Sequence, residues 1–236
     1  MLPQVTVVIP FYNCEYVGNA IESVLYQTYA NIELIVVDDG STVNTNVLAA
    51  YEPYIKVIKK TNGGTASALN AGISQAKGSY IAWLSSDDVF YPRKLAVQMK
   101  FMLQHRASFS FTNFDMLIQD YNLLRERIVL PAASQFELNK RFLTECGING
   151  CTAIMKKEML SHVGLFDESL PYTHDYDLWV RILLAGYKLY YLDESLIIYR
   201  YHPKMGSRTF TSAQALEFEA SKKRYRSRLL DFLDSQ

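Results

Sequence analysis

The chain has 236 residues, 49% of them hydrophobic, enough to bury a substantial core as one large domain or two small ones. Its 24 Lys and Arg balance 24 Asp and Glu, which excludes the global basic field of a nucleic-acid binder. The three scattered cysteines, Cys14, Cys146 and Cys151, form neither a disulfide framework nor a zinc-ligand spacing, and they fit a reducing compartment.

The N-terminus, "MLPQVTVVIPFYN", lacks a basic region followed by a long apolar run, so no signal peptide is expected. No stretch reaches the roughly 18 apolar residues of a membrane span, and the expectation is a soluble cytoplasmic protein. Four short runs rich in Val and Ile follow one another: "VTVVIP" (5–10), "IELIVVD" (32–38), "YIKVIK" (54–59) and "YIAWLS" (80–85). Such runs suit strands covered on both faces. Between them lie helical spacings, with Val17, Ile21, Val24 and Leu25 on one face and Leu69, Ile73 and Ala76 on another. Strand alternating with helix predicts an α/β fold built on a doubly wound, mostly parallel sheet.

The second half is less regular. Residues 109–130 read as strands and loops, and "SQFELNKRFLTECGING" holds a short helix. A further helix is expected from Thr173 as its cap to a stop at Gly186, followed by two strands, "KLYYLD" and "LIIYRYH". From about Ser212 the chain reads as helix, and "SKKRYRSR" (221–228) carries its one dense basic cluster.

In a parallel sheet, ligands bind beyond the carboxyl ends of the strands. Polar clusters sit at those ends: "PFYN", "DDGS", "TNGG" and "SSDD". Asp87 and Asp88 are neighbouring like charges leaving a buried strand, a conflict that a hard divalent cation removes. The competing reading is a solvated turn that caps the helix beginning near Pro92. Ser85 and Ser86 allow close approach and offer hydroxyls to a ribose or phosphate. Asp38 or Asp39 can accept from a nucleobase imide or a ribose hydroxyl, while Gly40 permits a tight turn and Ser41 can cap the next helix. In "NGGTASALNAGI" (62–73), Gly63 and Gly64 open a helix with Thr65 as candidate cap, so backbone N–H groups there can face a diphosphate. The run lacks the P-loop lysine and is not GxGxxG, which argues against a nucleotide triphosphatase or a dinucleotide dehydrogenase.

"VTVVIPFYNCEYVGNAIESVLYQTY", "IELIVVDDGS", "NGGTASALNAGI", "GSYIAWLSSDD" and "HDYDLWVRILLAGYKLYYLDE", in this order, resemble family 2 glycosyltransferases of the GT-A fold. The resemblance implies inverting transfer of one sugar from a nucleotide diphosphate sugar, by default UDP-linked, to an acceptor hydroxyl, assisted by Mn2+ or Mg2+. It implies a single domain in which residues 1–108 bind the nucleotide sugar and 109–211 bind the acceptor and carry the base, with 212–236 a basic helix. Pro10, Phe11, Tyr12 and Asp39 would border the nucleobase, with Asp38 beside it, and Asn62, Gly63, Asn70, Ser86 and Asp87 would complete the donor site. Asp87 and Asp88 fall on the family's metal motif, in which Ser85 replaces a common leading Asp, and His202 matches a position that supplies a metal contact in some relatives. His174 and Asp175 fall on an acidic pair whose second member is the general base, so Asp175 takes that role and His174 replaces the usual Glu.

Asp177 and Trp179 read instead as first-turn helix charge and core, and Tyr172 as a surface for an acceptor sugar. The sequence has neither the membrane helices nor the QxxRW motif of processive synthases, so single transfer is expected. The acceptor is a sugar or a lipid-linked sugar. In the latter case the basic helix is a candidate contact with an anionic membrane surface, against the plainer reading of a solvated face. The alternative function is a non-catalytic nucleotide-sugar-binding subunit.

Overall fold

The computed structural model describes residues 2–118, 123–128, 134–205 and 211–236. Its parallel part is β3 (Lys56–Lys59), β2 (Ile32–Asp38), β1 (Val5–Phe11) and β4 (Tyr80–Trp83), in that spatial order. Val5 to Ile9 are consecutively buried, as are Leu34 to Asp38, so β1 and β2 are covered on both faces as their unbroken apolar runs require, whereas the edge strand β3 starts only at Lys56 and exposes Lys56 and Lys59. Helices α1 (Val17–Leu25) and α3 (Gly64–Gln75) pack on β1. Val17, Ile21 and Val24 face inward as the helical spacing predicts, but Leu25 is exposed. A short α2 (Asn46–Ala49) lies in the connection to β3.

Beyond β4 the sheet becomes mixed. β8 (Ile154–Lys156) pairs antiparallel with both β4 and β6 (Phe109–Ile118). β9 (Tyr190–Tyr201) runs parallel to β6, the two-residue β5 (Val89–Phe90) pairs with β9, and β7 (Leu123–Ile128) forms a hairpin with β6. The two strands expected at "KLYYLD" and "LIIYRYH" are one. Thr112 faces Leu192 and Asn113 faces Ser195, so the chain bulges over Asp193 and Glu194 without leaving the sheet. The bulge is tied by Asn113 Nδ2 donating to Asp193 Oδ1 at 2.6 Å. Helices α4 (Lys94–Gln104), α5 (Gln135–Arg141), α6 (Lys157–Val163), α7 (His174–Leu184) and α8 (Thr211–Asp234) complete the described residues.

Two features of the C-terminal helix matter below. Ser221, Tyr225, Leu229 and Leu233, four residues apart, turn one stripe of α8 inward, where it packs on α5 and α7. Part of its basic cluster is paired within the chain, Lys222 with Glu219 (2.6 Å) and Arg224 with Asp167 (3.6 Å). Among the described residues no helix is long and apolar enough to cross a membrane.

Candidate active site

Parallel pairing brings the ends of β1 and β2 level, Phe11 opposite Asp38. Asp38 Oδ1 accepts the Ser41 N–H at 2.9 Å, closing a turn in which Gly40 has φ +79°. Only glycine suits this turn, since a Cβ there would also lie 2.9 Å from the Asn62 backbone nitrogen. Ser41 caps no helix. Its hydroxyl accepts the Asn13 N–H at 3.0 Å and locks the loop after β2 to the loop after β1.

Asp39 is buried and its carboxylate sits at the N-terminus of α3. It accepts from the N–H of Gly63 (3.0 and 3.1 Å) and of Gly64 (2.8 Å), and it pairs with Lys60 Nζ at 2.6 Å. The N–H groups that the sequence offers to a diphosphate thus meet an internal carboxylate, which also replaces Thr65 as the cap. A charged acceptor on helix-end donors is stronger than a hydroxyl. Asn62 donates to the Asp39 carbonyl at 3.0 Å. Asn70 exchanges both amide bonds with the Phe166 backbone (2.9 and 3.1 Å) and donates to Glu168, joining α3 to the segment before α7. The Phe11 side chain is wholly buried while its carbonyl accepts the Asp39 N–H, Pro10 is half-buried, and Tyr12 is exposed.

The turn after β4 is held from β9. Arg200 donates its backbone N–H to Asp88 Oδ1 and its Nε–H to the Asp87 carbonyl, both at 2.9 Å, and its guanidinium lies 4.4 Å over the Tyr16 ring. His202 Nε2 stands 3.1 Å from Asp87 Oδ2. Burial, and then the charge of Asp87, push the Asp88 carboxyl well above its ordinary range. Cys151 lies beneath, its thiol bonded to Ser85 Oγ at 3.2 Å, and burial followed by the charge of Asp88 keeps it protonated. Ser86 is buried, its carbonyl taking the Cys14 thiol at 3.4 Å.

Among the described residues, no three His, Cys, Asp or Glu side chains converge as a metal cage. Asp87 and His202 face each other, and Asp88 gives one oxygen to the Arg200 backbone. One or two protein donors beside an acidic, desolvated turn still fit Mg2+ or Mn2+ of the kind that takes its other ligands from substrate phosphates and water.

Asp87 and Asp88 share one cavity, of about 760 Å³, with Asp175. Trp83, Tyr172 and His174 line it too, together with Gln214 and Phe218 of α8, which no motif in the sequence marked. The cavity wall needs Gly150, because a Cβ there would come within 2.0 Å of the Trp83 ring. Asp175 opens α7 and accepts the Tyr176 N–H at 2.7 Å. Burial raises its carboxyl, the neighbouring His174 pulls it back, and Glu217 adds to the rise. His174 is buried between Trp83 and Phe166, each ring centroid 5.7 Å away, and neither of its ring nitrogens has a hydrogen-bond partner in the structure.

Thr173 stands at the N-cap of α7 but its side chain caps nothing. The acceptor is Glu217 of α8, which takes the N–H of Tyr172 and of Thr173. Asp177 accepts from Arg181 Nε at 2.7 Å and from the Tyr225 hydroxyl, a structural duty in keeping with its place in the first turn. Trp179 is core, its indole N–H on the Ile148 carbonyl at 3.3 Å.

Comparison with known proteins places this geometry. The model of "Glycosyl transferase family 2" matches residues 6–164. An uncharacterized glycosyltransferase of Rickettsia typhi is 38% identical over 92% of this chain and 70% of its own length. The UDP-Glc:alpha-D-GlcNAc-diphosphoundecaprenol beta-1,3-glucosyltransferase WfgD of Escherichia coli is 35% identical over 76% of this chain and 69% of its own. Against the relatives from Rickettsia felis, Rickettsia conorii and Rickettsia bellii the chain spans only 31% to 36% of their length. In fold it matches S. aureus TarS 1-349 in complex with UDP-GlcNAc (TM-score 0.73, 20% identity, 98% of this chain and 71% of that one). It likewise matches the mannosyltransferase PcManGT from Pyrobaculum calidifontis in complex with GDP-Man and Mn2+ (TM-score 0.72, 18% identity, 97% and 68%).

Proposed function

Because the chain belongs to glycosyl transferase family 2, we propose that it transfers one sugar from a UDP-linked donor to an acceptor hydroxyl, with inversion, in the assembly of a glycan. The observation that carries this reading is the single cavity lined by both the Asp87–Asp88 turn and Asp175. An acidic turn suited to a metal diphosphate and a separate, half-buried carboxylate are the two parts that a one-step displacement needs. The donor named for WfgD supports UDP-glucose as the first substrate to try, and its diphosphoundecaprenol acceptor supports a lipid-linked sugar.

Asp87 and His202 would hold Mg2+ or Mn2+ with the diphosphate. The ion would neutralise charge on the departing nucleoside diphosphate. The aromatic wall of Trp83 and Tyr172 offers apolar faces to a sugar ring. Asp175 takes the proton of the attacking hydroxyl. As attack comes from the face opposite the leaving group, the anomeric centre inverts and no sugar–enzyme bond forms.

The test is UDP release from UDP-glucose with and without Mn2+, beside calorimetry of UDP. Transfer or donor hydrolysis is expected, and chelation is expected to abolish it. Asp87→Ala weakens Mn2+-dependent UDP binding about tenfold or more while leaving the metal-free affinity as it was. Full turnover in chelator would remove the metal from this account. Tight UDP-sugar binding without turnover under any condition would replace the enzyme by a nucleotide-sugar-binding subunit.

A further inference from the structure

The support for Asp175 comes from the far end of the chain. Glu217 Oε1 receives the Tyr172 N–H (3.0 Å), the Thr173 N–H (2.8 Å) and the Thr173 hydroxyl (2.8 Å). All three donors lie within the three residues before Asp175. The Thr173 oxygen also meets Ser221 Oγ of α8 at 3.1 Å, and both residues are buried. Two residues beyond Asp175, the Tyr225 hydroxyl grips Asp177. Helix α8 therefore holds α7 on both sides of the carboxylate. N–H groups at a helix start need an acceptor, usually a local side chain. Here the first-turn Tyr176 N–H is taken by Asp175 itself, and the N–H groups of the two residues just before the helix are taken by a carboxylate 44 residues away in sequence.

We propose that Glu217 is a positioning residue for Asp175: it ties the residues that lead into α7 to α8, and its negative charge acts on the same carboxylate. The proposal rests on Asp175 being the proton acceptor of the transfer proposed above. Glu145, Asp87 and Asp88 line the same cavity as Asp175, and three further groups act on it from the elements around it. His174, its neighbour on α7, favours the ionised form; Glu217, from α8, disfavours it; and the Cys146 thiol, from the segment after α5, is kept protonated by burial. Glu217 is the anion among these three. Removing its charge lowers the pH at which Asp175 ionises, and removing its oxygen frees the start of the helix. The two effects separate in two substitutions, since Gln keeps an acceptor oxygen and loses the charge, whereas Ala loses both.

The experiment uses the full chain with 13C-labelled aspartate carboxyls, following the Asp175 resonance against pH and the exchange of the Tyr172 and Thr173 amides. Glu217→Gln should move the Asp175 titration to lower pH, with both amides still protected. Glu217→Ala should speed exchange at both amides about tenfold or more and cut UDP release from UDP-glucose roughly 10- to 100-fold, with Gln restoring most of that loss. Glu219→Ala is the control on the same helix, because Glu219 is 70% exposed and its recorded partner is Lys222; it should match the wild type. An unmoved Asp175 titration in Glu217→Gln, or protected amides in Glu217→Ala, overturns the proposal. If the Ala variant fails to fold, the Gln titration decides alone. A wild type that consumes no UDP-sugar defeats the transferase reading, yet titration and exchange still judge Glu217.

Discussion

Asp175→Asn should lower sugar transfer by about 10²- to 10⁴-fold, the range that a positioned base contributes, while UDP affinity is retained. The substitution keeps the size of the side chain and an oxygen for the Tyr176 N–H, which Asp175 Oδ1 now accepts at 2.7 Å. What it removes is the ability to take a proton. Donor binding should survive because the residues that meet the nucleotide in this reading lie on the ends of β1, β2 and β4, not on α7. The pH profile carries a second signature. Burial raises the Asp175 carboxyl above the ordinary aspartate range, with Glu217 adding to it and His174 opposing it. A base works when deprotonated, so the rate should fall as pH drops through a value above that ordinary range. Steady-state kinetics and calorimetry of UDP check both parts. A variant that transfers normally, or one that loses UDP binding along with turnover, removes Asp175 from the role.

Lys94→Met should stabilise the folded chain by about 2–4 kcal/mol at neutral pH, an unusual sign for a core substitution. Lys94 opens α4 with no exposed surface, its ammonium 4.2 Å over the Phe90 ring and without a hydrogen-bond partner in the structure. Burial pulls its pKa down from 10.5 to about 7, against a smaller opposing pull from Cys151. A fall of that size corresponds to roughly 4–5 kcal/mol of lost preference for the charged form. Met has similar length, no charge to desolvate, and fills the same apolar space. The sign with pH follows from proton counting. Between about 7 and 10.5 the unfolded chain holds a proton that the folded chain has released, so wild-type stability climbs across that window and is flat with respect to this group below it. The variant lacks that slope, and its advantage should shrink by about 2 kcal/mol, more than half of it, between pH 7 and pH 9. Urea denaturation of both proteins at the two pH values measures this. A Met variant no more stable than wild type at pH 7 would mean that Lys94 is compensated inside the fold.

Much of the scaffold was legible because it is written in short windows. Unbroken apolar runs mark strands covered on both faces, and β2 begins and ends where the pattern does, at Ile32 and Asp38. Helical spacing found α1, α3 and α7, and Gly186, at φ +84°, ends α7 as the pattern expects. The three-residue β8 and the two-residue β5 are too short for periodicity to register. The bulge over Asp193 and Glu194 looked like a gap between two strands because pairing with β6, not local pattern, carries β9 across it.

Both local cap assignments gave way for one reason. Thr65 and Thr173 have the right chemistry for helix starts, but charged acceptors arrive from another part of the chain, Asp39 on the N–H groups of Gly63 and Gly64 and Glu217 on those of Tyr172 and of Thr173 itself. Sequence alone determined the parallel half of the sheet, the polar clusters at its strand ends and the ordered motifs that mark the family. Only the tertiary structure decided which carboxylates serve as structure and which face the cavity, seating Asp39 on α3 and Asp177 against α8 while Asp87 and Asp175 line one space. An aspartate's local neighbours do not specify its partner; the energy of a buried charge depends on what the fold brings within hydrogen-bond reach.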